Sequence, residues 1–357
     1  MSAPDLGPIG TARPTGRMDR KRSLEVARCL TPDTVSTSVL ARLHDRSGID
    51  ERAIAVIDPD GGIPLYGIDA DGERRSNAVA TTAARMRAYR DNASPIAVRA
   101  AADALSGSGL DACDVTHLVT ASCTGFAAPG VDLELVDRLG LSPTVRRSHL
   151  GFMGCHAAVN ALAVAAAFAD TSSSVRVLVV CVEISSVHFH HDDRLDHVIS
   201  NILFADGAAA TVVGHGLDRS IGRLDRTASM RFPESVDAMG WHVGDHGFEM
   251  TLDAEVPDLI GAGLPGWLRE ESGLDVSSVG GWAIHPGGPK VIDTVAERLS
   301  LADSATEASR EVLRTCGNMS SVTLLHIIDR LRAANAPTPW AGLAFGPGLA
   351  GELVVIR

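Results

Sequence analysis

Apolar residues in this chain fall into short runs separated by turn-forming residues, and the runs are of two kinds. His117 to Ser122 (HLVTAS) and Val175 to Ile184 (VRVLVVCVEI) are nearly continuous and rich in β-branched side chains, the pattern of strands buried on both faces of a sheet. Asp206 to Val213 (DGAAATVV) reads as a further core strand. His156 to Asp170 (HAAVNALAVAAAFAD) has no Gly or Pro and is dominated by Ala, which predicts a buried helix whose small side chains allow close packing. The second half repeats the theme: a strand over Gly281 to Ile284, a turn (HPGGP), a helix from Lys290 to Leu299, then a loop and a helix from Ser320 to Ala334. Strands at Ala341 to Phe345 and Glu352 to Ile356 close the chain.

Strands alternating with helices predict an α/β fold, and the absence of a short repeat excludes a solenoid. The charge-rich stretch from Gly216 to Glu234 lacks a clear period, so the boundary between two halves is expected there, with residues 23–220 on one side and 221–357 on the other. Residues 1–22 combine Pro, Gly and Arg and are expected to form a flexible tail.

Composition narrows the function. At 357 residues the chain exceeds what one core usually serves, and 45% hydrophobic with only 4% aromatic residues suits strands covered by helices. A net charge of -12 argues against nucleic acid or an anionic membrane as partner. An anionic small ligand then needs a local basic mouth, for which Arg42, Arg46, Arg52, Arg74 and Arg75 are candidates. No apolar run reaches membrane-spanning length and the first twenty residues lack a signal-peptide core, so a soluble cytoplasmic protein is expected. Cysteines at 29, 113, 123, 155, 181 and 316 form no CxxC pair, which leaves neither a zinc knuckle nor a disulfide framework and fits reduced thiols.

Three residues carry candidate chemistry. Cys155 (GFMGCHAA) follows a glycine at the first turn of the Ala-rich helix, where unpaired N–H groups and the helix dipole favour a thiolate nucleophile; its bland alternative is a small buried hydrophobe. His285 opens HPGGP at the C-terminal end of a strand, the usual place for function in α/β sheets, though a structural hydrogen-bonding role would also suit it. HPGGPK lacks the ending of a phosphate loop. Asn318 (CGNMSSVTLL) stands in a polar turn before a helix: either a cap, or a neutral donor that with a histidine makes an oxyanion hole. A further cluster, His188, His190, His191, Asp192, Asp193 and His197, invites a metal reading, but its spacing fixes no four ligands on one face and a solvated loop accounts for it, so no metal is expected.

Together these contexts resemble the type III polyketide synthases, the chalcone synthase family, from about Ser38 to the C-terminus. Gly154-Cys155, HPGGP at 285–289 and GNMSS at 317–321 match that family's nucleophile, histidine and asparagine motifs, spaced 130 and 33 residues apart, and Phe345-Gly346-Pro347-Gly348 resembles its GFGPG loop. The resemblance implies a thiolase-like fold, two related α/β halves in a layered αβαβα core, working as a homodimer on an acyl-CoA starter and malonyl-CoA without a cofactor. It makes Cys155, His285 and Asn318 catalytic, and Gly346, Pro347 and Gly348 the pocket floor. Phe204 matches one gatekeeper phenylalanine, whereas Met250 stands where the second is expected. Cys123, Ser185, His188 and Ser320 are implied to line the cavity, and Trp241 falls where chalcone synthase has a small residue. The loop through Ala127, Ala128 and Pro129 resembles the segment that touches the partner subunit, and Arg42 and Arg46 fall near the CoA-contacting helix.

The implied reaction is decarboxylative condensation through a Cys thioester, giving a cyclised pyrone or resorcinol, with an aliphatic starter favoured. The nearest alternative is a ketoacyl synthase III-type enzyme performing one condensation on a carrier protein; an acidic surface suits that acidic partner poorly. A papain-like Cys/His/Asn hydrolase lacks support in the strand and helix plan, and a silent partner subunit is disfavoured by the intact triad.

Overall fold

The computed structural model describes residues 2–76 and 79–357. The first half runs β1 (Asp5–Leu6), β2 (Gly10–Ala12), β3 (Arg17–Asp19), α1 (Arg20–Leu30), α2 (Thr37–Ser47), β4 (Glu51–Ala53), α3 (Thr82–Ser108), β5 (His117–Ser122), α4 (Val131–Leu139), β6 (Arg146–Gly151), α5 (Ala157–Ala169), β7 (Arg176–Ile184), α6 (Leu195–Leu203) and β8 (Asp206–Gly214). The second runs β9 (Gly222–Arg231), β10 (Met239–Gly244), β11 (Gly247–Leu252), α7 (Val256–Gly266), β12 (Gly281–Ile284), α8 (Pro289–Arg298), α9 (Glu307–Cys316), α10 (Ser321–Ala333), β13 (Trp340–Gly346) and β14 (Ala350–Ile356).

Every residue of β5 and β8 is buried, as continuous apolar runs require when both faces of a sheet are covered. The strands join in the order β12-β13-β14-β9-β1-β8-β7-β5-β6, with β2 added to β8. Pairing is parallel at β5/β6, β5/β7 and β12/β13, and antiparallel elsewhere in this sheet.

Helices α5 and α10 lie between the two halves: Ala158, Ala161 and Ala165 of α5 share one buried cluster with Val322, Leu325 and Ile328 of α10 and with strands of both halves. Alanine lets α5 approach both sheets closely, where a larger side chain would push a layer away. On the outer faces, Ala97, Ala100, Ala101 and Ala104 of α3 cover the first half, and Ile260, Leu264, Ile292 and Val295 of α7 and α8 cover the second. The result is the layered αβαβα arrangement. Among the described residues no helix is long and apolar enough to cross a membrane.

One expectation fails. The N-terminal segment is built into the sheet: Asp5 of β1 lies opposite both Gly214 of β8 and Arg223 of β9, and Leu6 is fully buried. Backbone groups do this, since Gly7 N donates to Val212 O (2.8 Å) and Leu6 O accepts from Ile221 N (2.8 Å), a pairing that side-chain composition does not reveal. Gly10 contributes by absence, because a Cβ there would sit 2.2 Å from Ala100 O of α3. The aperiodic stretch after Gly216, where the boundary between halves is expected, contains β9, which pairs with β14 and β1 and carries the sheet from one half into the other. Its side chains alternate irregularly between exposed and half-buried, so no period marks it.

If β1 couples the halves, Leu6→Ala is expected to cost roughly 2 to 4 kcal/mol of stability, the usual loss for truncating a buried leucine. Urea unfolding reads it; a change below about 0.5 kcal/mol, the surface norm, would mean the segment contributes nothing.

Candidate active site

The candidate residues follow directly on strand ends. Cys123 comes after β5, Ser185 after β7 and His285 after β12, the C-terminal edge where α/β sheets place function. Cys155 stands in a single 3-10 turn, Gly154–His156, that links β6 to α5. The glycine before it is required twice over: its φ is +73°, and a Cβ would lie 2.3 Å from Pro347 Cδ. Gly346 is equally close, since its Cβ would meet the His156 ring at 2.4 Å. The Gly346-Pro347-Gly348 loop therefore abuts the Cys155 turn.

Asn318 is pinned by backbone bonds to the gate segment, Asn318 N to Leu203 O and Ala205 N to Asn318 O, both 2.9 Å. Its Oδ1 accepts from Ser320 N at 2.8 Å, which orients the amide and leaves Nδ2 without a protein partner among the described residues. Ser320 itself is strained, with φ 49° and ψ -128°. That conformation brings its hydroxyl to 3.6 Å from Cys155 Sγ and 3.3 Å from Cys123 Sγ. Phe152 (φ 58°) and Leu349 (φ 44°), which flank the same turn and loop, are also in the left-handed region. Backbone strain collected at one place is a mark of a functional site.

A residue missed from sequence organises this floor. Glu183 of β7 is fully buried, and its carboxylate accepts from Cys123 N (3.0 Å), Thr124 N (3.1 Å), Thr124 Oγ1 (2.7 Å) and Ser321 Oγ (2.5 Å). Burial nevertheless raises its pKa above the ordinary carboxylate value. A lone acidic residue in an apolar run was the signal available in VCVEIS.

His285 is 1% exposed, its N–H bonds Leu343 O at 2.8 Å, and both ring nitrogens are buried without a partner. Burial lowers its pKa to about 3, with a small further push from His156. Burial also pushes the Cys155 thiol up to about 12, against the lowering effect of the Ser320 hydroxyl. This reverses the sequence expectation of a helix-stabilised thiolate: desolvation outweighs the helix terminus, and α5 proper begins only at Ala157. Both groups rest neutral.

Two spaces flank the site. An outer cleft of about 530 Å³ is lined by apolar side chains such as Leu43, Ile202 and Met239, by the Gly287-Gly288 turn, and by Arg46 and Lys290. Arg42, one turn earlier on α2, is exposed and does not line it, whereas Lys290 does and was missed. Of the other basic candidates, Arg52 is buried and donates to Asn201 O (2.7 Å), Phe204 O (2.6 Å) and Ser23 Oγ (2.7 Å), a scaffold role. Arg75 pairs with Asp69 and Glu73.

The inner space, lined by Ser185, His188, Phe204, Trp241 and Phe248 among others, holds only about 10 Å³. Phe248 takes the lining position expected of Met250, which is buried opposite Trp241 in the β10/β11 hairpin. Trp241 fills the space: its ring meets those of His188, Phe204 and Phe248 at 5.5 to 6.4 Å, and its Nε1 donates to Cys123 O at 2.8 Å. His188 stacks on Phe248 at 4.3 Å.

The histidine cluster is not the solvated loop that was expected. His188, His190 and His197 are 4%, 8% and 2% exposed, because the loop folds inward against α6 and β11, and only His191 and Asp193 face solvent.

Sequence profiles of the chalcone and stilbene synthases match the chain twice, the N-terminal domain at residues 68–217 and the C-terminal domain at 223–357. An alpha-pyrone synthesis polyketide synthase-like protein, Pks18, of Mycobacterium tuberculosis is 33% identical over 325 residues, 88% of this chain and 80% of the relative. The 1,3,6,8-tetrahydroxynaphthalene synthase of Streptomyces peucetius is 32% identical over 92% of this chain and 86% of that one. Among solved structures, the C-terminal type III polyketide synthase domain of Steely1 from Dictyostelium superposes with a TM-score of 0.89 at 27% identity, and PKS-I from the brown alga Ectocarpus siliculosus with 0.91 at 28%; each pairing covers 100% of this chain and 99% of the other.

A neutral resting thiol has a kinetic signature. Because the Cys155 pKa is raised, its thiolate fraction grows about tenfold per pH unit through neutrality. Alkylation of Cys155 by iodoacetamide, followed by peptide mass spectrometry to separate it from exposed Cys113, is expected to accelerate continuously from pH 6 to pH 9. A rate already level below pH 8 would identify a preformed thiolate–imidazolium pair instead.

Proposed function

The chain belongs to the chalcone and stilbene synthase family of type III polyketide synthases, acyl-transferring enzymes, and from that premise we propose that it condenses malonyl-CoA onto an acyl-CoA starter held on Cys155, releasing a small cyclised product of the pyrone or resorcinol type. The observation that carries this reading is His285. Native interiors leave few buried polar atoms unpaired, and a fully buried imidazole with two unpartnered nitrogens, beside the turn of a candidate nucleophile, is reserved for a substrate.

The steps follow from the neutral pair. His285 takes the Cys155 proton as Sγ attacks the starter thioester; the new S–C bond forms, the old one breaks, and CoA leaves with that proton. Malonyl-CoA then loses its carboxylate as CO2, and the bonding electrons pass into an enolate. The enolate oxygen is held by a ring N–H of His285, whose backbone N–H is anchored on Leu343 O, and by Asn318 Nδ2, whose amide is oriented by Ser320 N. Attack of the enolate carbon on the Cys155 acyl group forms the C–C bond and frees the thiolate, and CoA carries the lengthened chain into the next round. The outer cleft suits CoA, with Arg46 and Lys290 as phosphate partners, offset in part by Asp253 and Asp293 on the same lining.

An inner space of about 10 Å³ supports a short starter and few extensions, hence a pyrone before a larger ring. The same face carries exposed Phe126 (66%), Phe152 (45%) and Met153 (38%), and we assign it to a second copy in a homodimer.

Purified protein and its Cys155→Ala variant, given malonyl-CoA and starters of graded length, test the proposal by CoA release and product mass. The expected result is products heavier than the starter by repeated two-carbon ketide units, absent in the variant. One unit only, or dependence on a carrier protein, would transfer the chain to the single-condensation reading. Trp241→Ala is expected to shift the best starter to longer chains or add extensions; an unchanged product spectrum would exclude Trp241 as the limit on chain growth.

A further inference from the structure

The loop between β7 and α6, together with the first turn of α6, holds donors that condensation chemistry does not use. His190, Asp192 and His197 each present a ligand atom, and these atoms all lie within 4.8 Å of one another. Their hydrogen bonds assign the protons. His190 Nε2 is 2.9 Å from Phe248 O, a group that can only accept, so this nitrogen carries the hydrogen and Nδ1 keeps its lone pair. His197 Nδ1 is 2.7 Å from Asp192 Oδ2, so by the same argument Nε2 is the bare nitrogen, and it is buried without a partner. A carbonyl or carboxylate tying one ring N–H while the other nitrogen stays free is how metal-bound histidines are oriented.

The loop is also held in place beforehand. Asn201 of α6 accepts from His190 N (3.0 Å) and donates to His190 O (2.8 Å), while Asp192 Oδ1 accepts from Arg194 N (3.1 Å). Arg194 is drawn to Asp196 and Glu249. Arg85 is engaged by Val187 O and Phe189 O.

From this we infer that His190 and His197, with Asp192 as the orienting partner of His197, form a binding site for a divalent metal of the zinc class. Two imidazole nitrogens suit Zn²⁺, Co²⁺ or Ni²⁺ better than the hard cations, with water completing the coordination. Tetrahedral zinc, at about 2.0 Å from nitrogen, needs ligand atoms roughly 3.3 Å apart. The two rings stack with centroids 4.0 Å apart and 21° between their planes, so binding one ion requires both rings to turn edge-on to it and give up the stack. Because Phe248 stacks on His188 in the inner space and its carbonyl holds His190, a metal here braces the wall of that space without taking part in chemistry. This inference stands apart from the synthase reading.

The test uses untagged full-length protein, dialysed against Zn²⁺ or Co²⁺ and freed of excess metal. One equivalent per chain by elemental analysis, tetrahedral d–d bands with Co²⁺, and a rise in Tm on loading are expected. His197→Gln should abolish stoichiometric binding, and Asp192→Asn, a half-buried and mild change, should weaken it about 10- to 100-fold. The exposed His242→Gln should bind as wild type does. Less than about a tenth of an equivalent in wild type, or an unchanged Co²⁺ spectrum in both site variants, would overturn the assignment.

Discussion

A carboxylate buried in the middle of the molecule has to be satisfied on every side, and Glu183 meets that demand by drawing together parts of the chain that are far apart in sequence. Its oxygens accept from Cys123 and Thr124 at the end of β5 and from Ser321 at the start of α10. Breaking such a cluster leaves several donors unpaired in the interior, at about 1 to 3 kcal/mol each. The position of α10 relative to the first half, and with it the placement of Asn318 and Ser320, follows from that constraint. Ser320 then reaches Cys155 and Cys123 from a backbone conformation that it would not adopt alone.

Burial also sets the protonation of Cys155 and His285. In a dry interior the charged form of either partner is penalised, so the thiol and the imidazole both rest neutral. In the reaction proposed above, a neutral imidazole would serve two consecutive steps, first as an acceptor for the thiol proton and then as an N–H donor to an enolate. Asn318 adds a second donor whose charge never changes, and the pairing of its Oδ1 with Ser320 N fixes which way the amide points.

The aromatic packing around Trp241 closes the inner space. Its indole is held at both ends, by the Cys123 carbonyl and by the rings of His188 and Phe248, so it occupies space rather than swinging freely. The open volume lies instead in the outer cleft, where the Gly287-Gly288 turn, Arg46 and Lys290 meet.

Much of this was legible in the chain itself. Continuous apolar runs located β5, β7, β8, β12, β13 and β14 to within two residues, and the Ala-rich segment located α5, because burial on both faces leaves no polar positions to blur the pattern. Short motifs with rigid backbone demands, Gly154-Cys155, HPGGP, GNMSS and FGPG, pointed to the site and to the family for the same reason. Pairing between distant segments was not legible. The N-terminal residues and β9 join the sheet through backbone hydrogen bonds that any side chain permits, and Phe248 rather than Met250, two residues along the same face of β11, lines the inner space because it stacks on His188 there. The protonation of Cys155 and His285, the reach of Lys290 into the cleft and the meeting of His190, Asp192 and His197 depend on burial and distance, which exist only once the chain has folded.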